Sequence, residues 1–384
     1  MKKKVSVILA LIMSFMLLTV NADSYNEYSE VKVGLYFGGS AKSTVTLGSP
    51  GGFNIHFGEA QGLGYNFSML EDEIVISKCD EKDFYINGNY FIAPGEFAVI
   101  PARGIITVDG KEYRGFILFK RLSGSDMTVI NVLGLEEYLY SVVGKEMYPS
   151  WPLEALKAQA VCARTYAKLN AGKHSAYGFD LCSNQDCQVY LGVSQEDKKT
   201  ITAVRETTGE TVRVDGVPAE VFYFSSDGGS TEDSENVWGR AFSHLKGVKD
   251  PYENPDEATK YTWSNTISKS DLTKKLSLKG VKIGDIESID ITKTSRMGRV
   301  TELVINGTEG AYTASLEKTR TLLGGDLVYS QHFTVTDDDD TLTFDGRGWG
   351  HAVGMSQWGA KAMADKGFDY QDILKFYFTG VEVY

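Results

Sequence analysis

Short runs of alternating apolar and polar side chains are the feature of residues 31–130 that most restricts the fold. A period of two is typical of β-strands that bury one face, and turn-forming pairs such as Asn87-Gly88 and Asp109-Gly110 separate the runs as they do in hairpins. The pattern therefore predicts a β-rich N-terminal part.

In the next part of the chain, apolar residues recur at helical spacing. Leu135, Leu139 and Val142 predict one helix. A second helix is predicted to start around Pro152, with Ser150 as a candidate cap. The short connection between the two predicts a helical hairpin.

Helices and strands cluster along the chain instead of alternating, which favours an α+β fold over a doubly wound sheet. We predict a β-rich N-terminal segment over residues 31–130. The helical hairpin and a mixed α/β C-terminal part would follow it as one functional domain, residues 131–384. With 384 residues, the chain is long enough for more than one core, because single cores usually stop growing at about 250 to 300 residues.

Residues 1–22 have the form of an export signal. Lysines at positions 2–4 precede an uncharged apolar run from Val5 to Val20, and Val20-Asn21-Ala22 is a plausible cleavage site. The run is shorter than the roughly 20 residues that span a bilayer comfortably, which favours a cleaved signal peptide over a short membrane anchor. The sequence thus predicts an exported protein, held at a membrane only if this segment stays uncleaved.

Composition excludes several classes of protein. A chain that is 42% hydrophobic and 23% charged is neither disordered nor a multispan membrane protein. The net charge of −12 argues against nucleic acid as a partner. Four cysteines are too few for a disulfide scaffold in a chain of this length.

Glu146 occupies the most informative position. It extends the apolar stripe of the first predicted helix by four residues beyond Val142, so a carboxylate falls on the core-facing side at the C-terminal end of that helix. Burial and the negative end of the helix dipole both raise the pKa of a carboxyl group. Such a group can act as a general acid and then as a base. The alternative is a structural ion pair with Lys145 or Arg164.

The polar face of the second predicted helix carries Gln159 and Arg164. If the two helices form a hairpin, this face could turn toward Glu146 and place both side chains in the same site. The alternative is that Arg164 faces solvent beside Glu154.

Two glycine-rich stretches, residues 225–239 and 346–359, are candidate binding loops. Glycine lets a loop approach a ligand closely, and tryptophan suits the apolar faces of sugar rings. Neither stretch matches a phosphate loop or a dinucleotide fingerprint. Ordinary tight turns around core tryptophans are the alternative. The candidate substrate-binding residues are Gln159, Ser226, Gly228, Gly229, Trp238, Trp349, His351 and Gln357.

His174, Cys182 and Cys187 lie close together in a polar loop. In an exported protein the two cysteines could form a disulfide bond. With His174 and a carboxylate or water they could instead bind zinc. The spacing alone leaves both possibilities open, and free thiols are a third.

Three blocks of sequence, residues 135–167, 227–239 and 346–357, closely resemble the stage II sporulation protein D family and occur in the family's order. The motifs include the run from Trp151 to Ala160 (WPLEALKAQA) and the terminal Gly-Arg-Gly-Trp-Gly-His. The resemblance extends over roughly residues 31–384.

The resemblance implies a lytic transglycosylase that cuts peptidoglycan glycan strands during engulfment, in the cell-wall space or between the septal membranes. Glu146 matches the catalytic glutamate of the family, and Arg164 matches its second active-site position. No cofactor is implied for catalysis. Because some clostridial members hold a metal in a similar loop, the resemblance favours structural zinc over a disulfide at His174, Cys182 and Cys187. A cell-wall amidase and other engulfment proteins are the implied partners.

A lytic transglycosylase needs one carboxyl group, because the C6 hydroxyl of its own substrate replaces water as the attacking group. Lys145 departs from the small or polar residue that is common in the family, and a cation there would lower the pKa of Glu146. The family domain also occurs in amidase enhancers, so a wall-binding protein without catalysis is the main alternative. A metal-dependent hydrolase is a third reading.

Overall fold

The computed structural model describes residues 30–57, 65–79, 83–92, 95–122 and 125–384. The predicted export signal, residues 1–22, lies outside these ranges. Within them, no helix is both long enough and apolar enough to cross a membrane. Strands predominate in the first part and mix with helices afterwards, which confirms the predicted α+β class.

The N-terminal part consists of two antiparallel sheets. Its strands are β1 (Glu30–Tyr36), β2 (Thr44–Gly48), β3 (Phe53–Phe57), β4 (Tyr65–Met69), β5 (Glu73–Cys79), β6 (Asp83–Ile86), β7 (Tyr90–Ile92), β8 (Glu96–Pro101), β9 (Ile105–Val108), β10 (Lys111–Arg114), β11 (Phe116–Arg121) and β12 (Met127–Gly134). One sheet has the order β1-β12-β11-β8-β3-β4 and the other the order β10-β9-β2-β5-β6-β7. The sheets pack face to face: the rings of Phe84 in β6 and Phe97 in β8 lie 4.8 Å apart.

The helical hairpin follows β12 directly. Helices α1 (Leu135–Glu146), α2 (Leu153–Leu169) and α3 (Lys198–Glu206) pack on one another and share a continuous apolar core with the two sheets. The hairpin was predicted, with its second helix beginning one residue after Pro152. The predicted domain boundary between residues 130 and 131 falls inside β12 and inside this shared core, so the chain does not divide there.

Several short elements follow the helical hairpin along the chain. They are β13 (Leu181–Cys182), β14 (Val212–Val214), β15 (Val217–Pro218), β16 (Tyr223–Phe224) and α4 (Ser234–Trp238). Strand β13 pairs in parallel with β1 and so fixes the cysteine loop to the edge of the first sheet. Strands β14 and β15 form a hairpin that turns at Asp215-Gly216.

A second apolar core divides the predicted domain 131–384. It is built from β17 (Thr262–Ser268), α5 (Lys269–Leu278), β18 (Ile286–Thr294), β19 (Val300–Gly307), β20 (Gly310–Ser315), α6 (Lys318–Thr321), β21 (Phe333–Asp338) and β22 (Thr341–Arg347). The chain then returns to the first core through β23 (Met355–Ser356), α7 (Gln357–Asp365), α8 (Tyr370–Tyr377) and β24 (Glu382–Val383).

Candidate active site

Glu146 is the last residue of α1 and lines a groove with a volume of about 910 Å³. Most of the groove wall comes from residues 185–189, 220–225 and 349–351. Helix α1 ends here because Met147 adopts an extended backbone conformation. The helix therefore delivers a partly buried carboxyl group to the groove, as the apolar stripe predicted.

Burial is the largest influence on Glu146 and raises its pKa. Hydrogen bonding from Gln357 and from the backbone of Val189 lowers the pKa, and the charge of Lys145 lowers it least, so the net shift is upward. Among the residues that the structure describes, Glu146 forms no ion pair with Lys145 or Arg164. The structural ion pair considered from the sequence is therefore not formed.

Gln357, the first residue of α7, holds the Glu146 carboxyl in place. Its Nε2 donates hydrogen bonds to Oε2 of Glu146 (3.2 Å) and to Oε1 of Gln159 (3.4 Å). Gln159 is fully buried in α2 and lies behind Gln357 instead of lining the groove. Gln357 thus lines the groove and Gln159 supports Gln357 from the core, while substrate binding by either residue stays a prediction.

Arg164 does not reach the groove. Its side chain is completely buried, and Nε and Nη2 donate to the two carboxylate oxygens of Glu136 at 2.8 and 2.6 Å. The guanidinium also donates to the carbonyl oxygens of Val204 and Glu210. Glu136 and Glu146 are ten residues apart in α1, a separation of about 15 Å along a helix. Neither the predicted contact near Glu146 nor the solvent-facing alternative is observed.

The predicted aromatic residues form one wall of the groove. Trp238 and Trp349 are 36% and 42% exposed, unusual for tryptophan, and both face the groove. The Trp238 ring packs on Phe222 and on His351, with centroids 4.5 and 5.1 Å apart. Exposed indole faces along a groove are suited to the apolar faces of sugar rings.

His351 supports this wall without serving as an acid or base. Its Nε2 donates to the Tyr223 carbonyl oxygen (3.1 Å), and its Nδ1 accepts from the backbone N–H of Val353 (3.1 Å). Burial lowers the pKa of His351 to about 3. The ring is neutral at physiological pH, and both of its nitrogens are already bonded.

Ser226, Gly228 and Gly229 lie behind the groove and do not line it. The backbones of Ser226 and Trp349 exchange two hydrogen bonds, which joins the two glycine-rich loops. Gly228 has a φ of +66°, and a Cβ there would lie 2.6 Å from the backbone nitrogen of Gly348. The close approach of the two loops therefore requires glycine at position 228, and substrate binding by Ser226, Gly228 and Gly229 stays a prediction.

His174, Cys182 and Cys187 come together as predicted and are joined by Asp186, with one ligand atom from each lying within 4.8 Å of all the others. His174 Nε2 is 3.3 Å from Cys187 Sγ and 3.4 Å from Asp186 Oδ2. The two cysteines are not joined by a disulfide bond. Asp186 and Cys187 also line the groove, so this cluster lies beside Glu146 along the same wall.

Several groove residues were not predicted. Gln188 Nε2 donates to the hydroxyl of Tyr223 (3.0 Å), and Lys173 and Arg240 bring positive charge to the groove. Residues 183–190 have no periodic pattern, so no local signal marked Gln188. Tyr223 lies in the two-residue strand β16, and the sequence does not reveal which face of that strand borders the groove.

Comparison with known proteins gives two family matches. Residues 123–213, which include the helical hairpin and the cysteine loop, match the family described as SpoIID, Stage II sporulation protein. Residues 220–354 match a domain of unknown function, DUF8618. The second match covers most of the glycine-rich wall of the groove and the whole of the second core.

Individual relatives match over much of the chain. Stage II sporulation protein D of Bacillus subtilis is 35% identical over 270 residues, which cover 65% of this chain and 74% of the relative. The amidase enhancer of the same organism is 31% identical over 319 residues, 72% of this chain and 44% of the relative. An uncharacterized protein of Brachyspira hyodysenteriae is 34% identical over 327 residues, 83% of this chain and 86% of the relative.

These matches define a protein of the sporulation and cell-wall class. The chain belongs to the stage II sporulation protein D family.

Proposed function

We propose that this protein is a lytic transglycosylase that cleaves the bond between N-acetylmuramic acid and N-acetylglucosamine in peptidoglycan and leaves 1,6-anhydro ends. The observation that carries the proposal is the Glu146 carboxyl: it lines an aromatic-walled groove, burial raises its pKa, and it has no ion-pair partner among the described residues. A raised pKa keeps the proton on a carboxyl group to higher pH, which suits it to protonate a leaving group.

In the proposed reaction Glu146 donates its proton to the glycosidic oxygen while the bond from that oxygen to C1 of N-acetylmuramic acid breaks. The C6 hydroxyl of the same sugar attacks C1, and the Glu146 carboxylate takes the hydroxyl proton. One carboxyl thus acts first as acid and then as base, and no water is consumed. A hydrolase would need a second carboxylate to activate water or to act as nucleophile.

The surroundings of Glu146 suit this substrate. Trp238 and Trp349 offer faces on which sugar rings can stack, and Gln357 fixes the orientation of the acid. Lys173 and Arg240 supply positive charge for the lactyl or stem-peptide carboxylates of a glycan strand. In the same proposal the protein acts outside the cytoplasmic membrane, together with a cell-wall amidase and other engulfment proteins.

The cysteine cluster fits a structural zinc ion. Zinc held tetrahedrally at 2.0–2.3 Å places its ligand atoms about 3.3–3.8 Å from one another. The distances from His174 to Cys187 and Asp186 and the 3.8 Å from Cys182 Sγ to Asp186 Oδ2 lie in this range. We propose that His174, Cys182, Asp186 and Cys187 hold the ion. It would crosslink the loop that carries one groove wall.

The test is mass spectrometry of purified glycan strands, with and without stem peptides, after incubation with the mature protein. Wild type should produce 1,6-anhydro ends, and Glu146→Gln should lower their rate of formation by about 10²–10⁴-fold, the usual contribution of a general acid. Glu220→Gln tests the other free carboxyl of the groove wall, and its product should still be anhydro. Reducing ends that require Glu220 would point to hydrolysis and contradict the proposal.

A second candidate function is a non-catalytic amidase enhancer. It is favoured by the match to a relative of that name over 72% of this chain. This role predicts that the protein binds glycan strands and stimulates an amidase, with wild type and Glu146→Gln equally effective and without new glycan ends from either.

A further inference from the structure

Three buried carboxylates converge beneath the first glycine-rich loop, away from Glu146. Asp227 belongs to the loop, and Asp250 and Glu253 belong to the segment that leads into the second core. They are 0%, 6% and 5% exposed, and one carboxylate oxygen from each lies within 4.8 Å of the other two. Carboxylates are seldom buried together without a compensating charge.

Backbone N–H groups hold one oxygen of each carboxylate. Glu253 Oε2 accepts from the backbone of Asp227 (2.9 Å) and Gly228 (3.3 Å). Asp227 Oδ1 accepts from Gly229 (2.7 Å), and Asp250 Oδ1 accepts from Tyr252 (2.7 Å). Donors of this kind favour ionised carboxylates and fix their orientation.

The second oxygen of each carboxylate has few or no hydrogen-bond donors around it. Among the residues that the structure describes, the buried atoms Asp227 Oδ2 and Glu253 Oε1 have no hydrogen-bond donor, and the one donor to Asp250 Oδ2 is the hydroxyl of Tyr377. A buried carboxylate oxygen without a hydrogen-bond donor has lost its hydrating water and makes no compensating interaction, which costs free energy of folding. The unpaired oxygens of Asp227 and Glu253 therefore indicate a missing positively charged partner.

Neighbouring side chains do not supply that charge by direct contact. Within the described ranges, none of the three carboxylates forms an ion pair. Arg299 is fully buried nearby, but its Nη2 donates to the backbone carbonyl oxygens of Asp227 and Ser230 instead. If all three groups are ionised, they carry more negative charge than the Arg299 guanidinium can offset, and either a cation or a proton must supply the balance.

We propose that Asp227, Asp250 and Glu253 bind a divalent cation, calcium by preference. Oxygen ligands at 2.3–2.6 Å from calcium can be at most about 5 Å apart, so the three carboxylates fit one coordination sphere. Magnesium usually retains several waters, which a site buried to this degree does not favour. The donor set contains only oxygen, which separates it from the sulfur-containing zinc cluster.

The cation would fix the groove wall from behind. Asp227 lies between Ser226, whose backbone is paired with Trp349, and Gly228, which packs on the second glycine-rich loop. Glu253 and Asp250 tie this loop to the segment before β17, and Tyr377 brings in α8. One ion would thus connect the first glycine-rich loop, which pairs with Trp349, to the segment before β17 and to helix α8.

The test uses the zinc-saturated full mature protein in calcium-depleted buffer at pH 7. Calcium chloride alone is the ligand, followed by calorimetric titration and thermal unfolding. We expect saturable heat with about one calcium per chain and a rise in Tm of about 3–6 °C at 1 mM calcium. Asp227→Asn and Glu253→Gln should abolish both responses, and Asp256→Asn, an exposed carboxylate of the same segment, should keep them.

Terbium provides a second readout on wild type alone. This calcium mimic should luminesce when Tyr377 is excited, because the Tyr377 hydroxyl contacts Asp250, and calcium should displace it. A proton is the rival occupant, because burial, Glu253 and Asp250 all raise the pKa of Asp227. Absence of saturable calcium heat and of terbium luminescence, together with a Tm that rises as the pH falls below 7, would overturn the proposal in favour of a shared proton.

Discussion

Gln357 influences both the orientation and the pKa of the Glu146 carboxyl group. Both hydrogens of its amide nitrogen are used, one on Glu146 and one on Gln159. Because the Gln159 carbonyl accepts one of these hydrogens, it fixes which end of the Gln357 amide faces the acid. The donated hydrogen bond favours the ionised form of Glu146, so Gln357 moderates a pKa that burial raises.

Gln357→Met removes the donor while keeping a similar length. The pKa of Glu146 should rise further, and since the proposed acid acts in its protonated form, the basic limb of the pH profile of kcat/KM should move to higher pH. We expect the maximum of kcat/KM to fall about tenfold from lost orientation, a change worth ~1.4 kcal/mol. Gln371→Met, outside the groove, is the matched control. A basic limb that stays in place or moves to lower pH would contradict this role.

Arg164 and Glu146 illustrate which parts of the site a sequence can reveal. Glu146 was predictable because its position depends on local helical spacing, which the apolar stripe displays. The partner of Arg164 was not, because Glu136 lies 28 residues earlier and the pair forms only when α1 packs against α2. Burial of Gln159 and of the loop at Ser226 depends in the same way on tertiary contacts.

The cysteine loop is an element whose position is set by one short strand. Parallel pairing of β13 with β1 fixes Cys182, and the turn that follows brings Asp186 and Cys187 back toward His174. The sequence showed three candidate ligands but could not decide between a metal and a disulfide, because close spacing permits both. Separate thiols beside an imidazole and a carboxylate favour the metal.

Zinc content tests this element directly. Elemental analysis of purified protein should find about one zinc per chain, and Cys187→Ser should reduce it to near zero because a thiolate ligand is lost. Cys79→Ser, at the end of β5 and outside the cluster, should keep the metal. A wild-type protein without zinc, whose intact mass is 2 Da lower because Cys182 and Cys187 are joined, would contradict the assignment and establish the disulfide.

At the scale of the whole molecule, the length of the chain allowed more than one core, but the sequence pattern did not show where the second core lies. A mixed α/β C-terminal part was predicted, and nothing in its pattern shows that its strands pack on each other and not on the first core. Strand β17 pairs along its full length with β22, so Thr262 lies opposite Arg347. The chain therefore leaves the first core and returns to it at neighbouring points.

This arrangement predicts that residues 261–348 fold on their own. The segment has its own buried apolar residues, its ends are adjacent, and its length is within the range of independent domains. We expect cooperative thermal unfolding by circular dichroism and a dispersed NMR spectrum. Leu303→Ala, at a fully buried position in β19, should destabilise the segment by about 2–5 kcal/mol. Non-cooperative unfolding would show that contacts such as that of Arg299 with the Asp227 loop are required for folding.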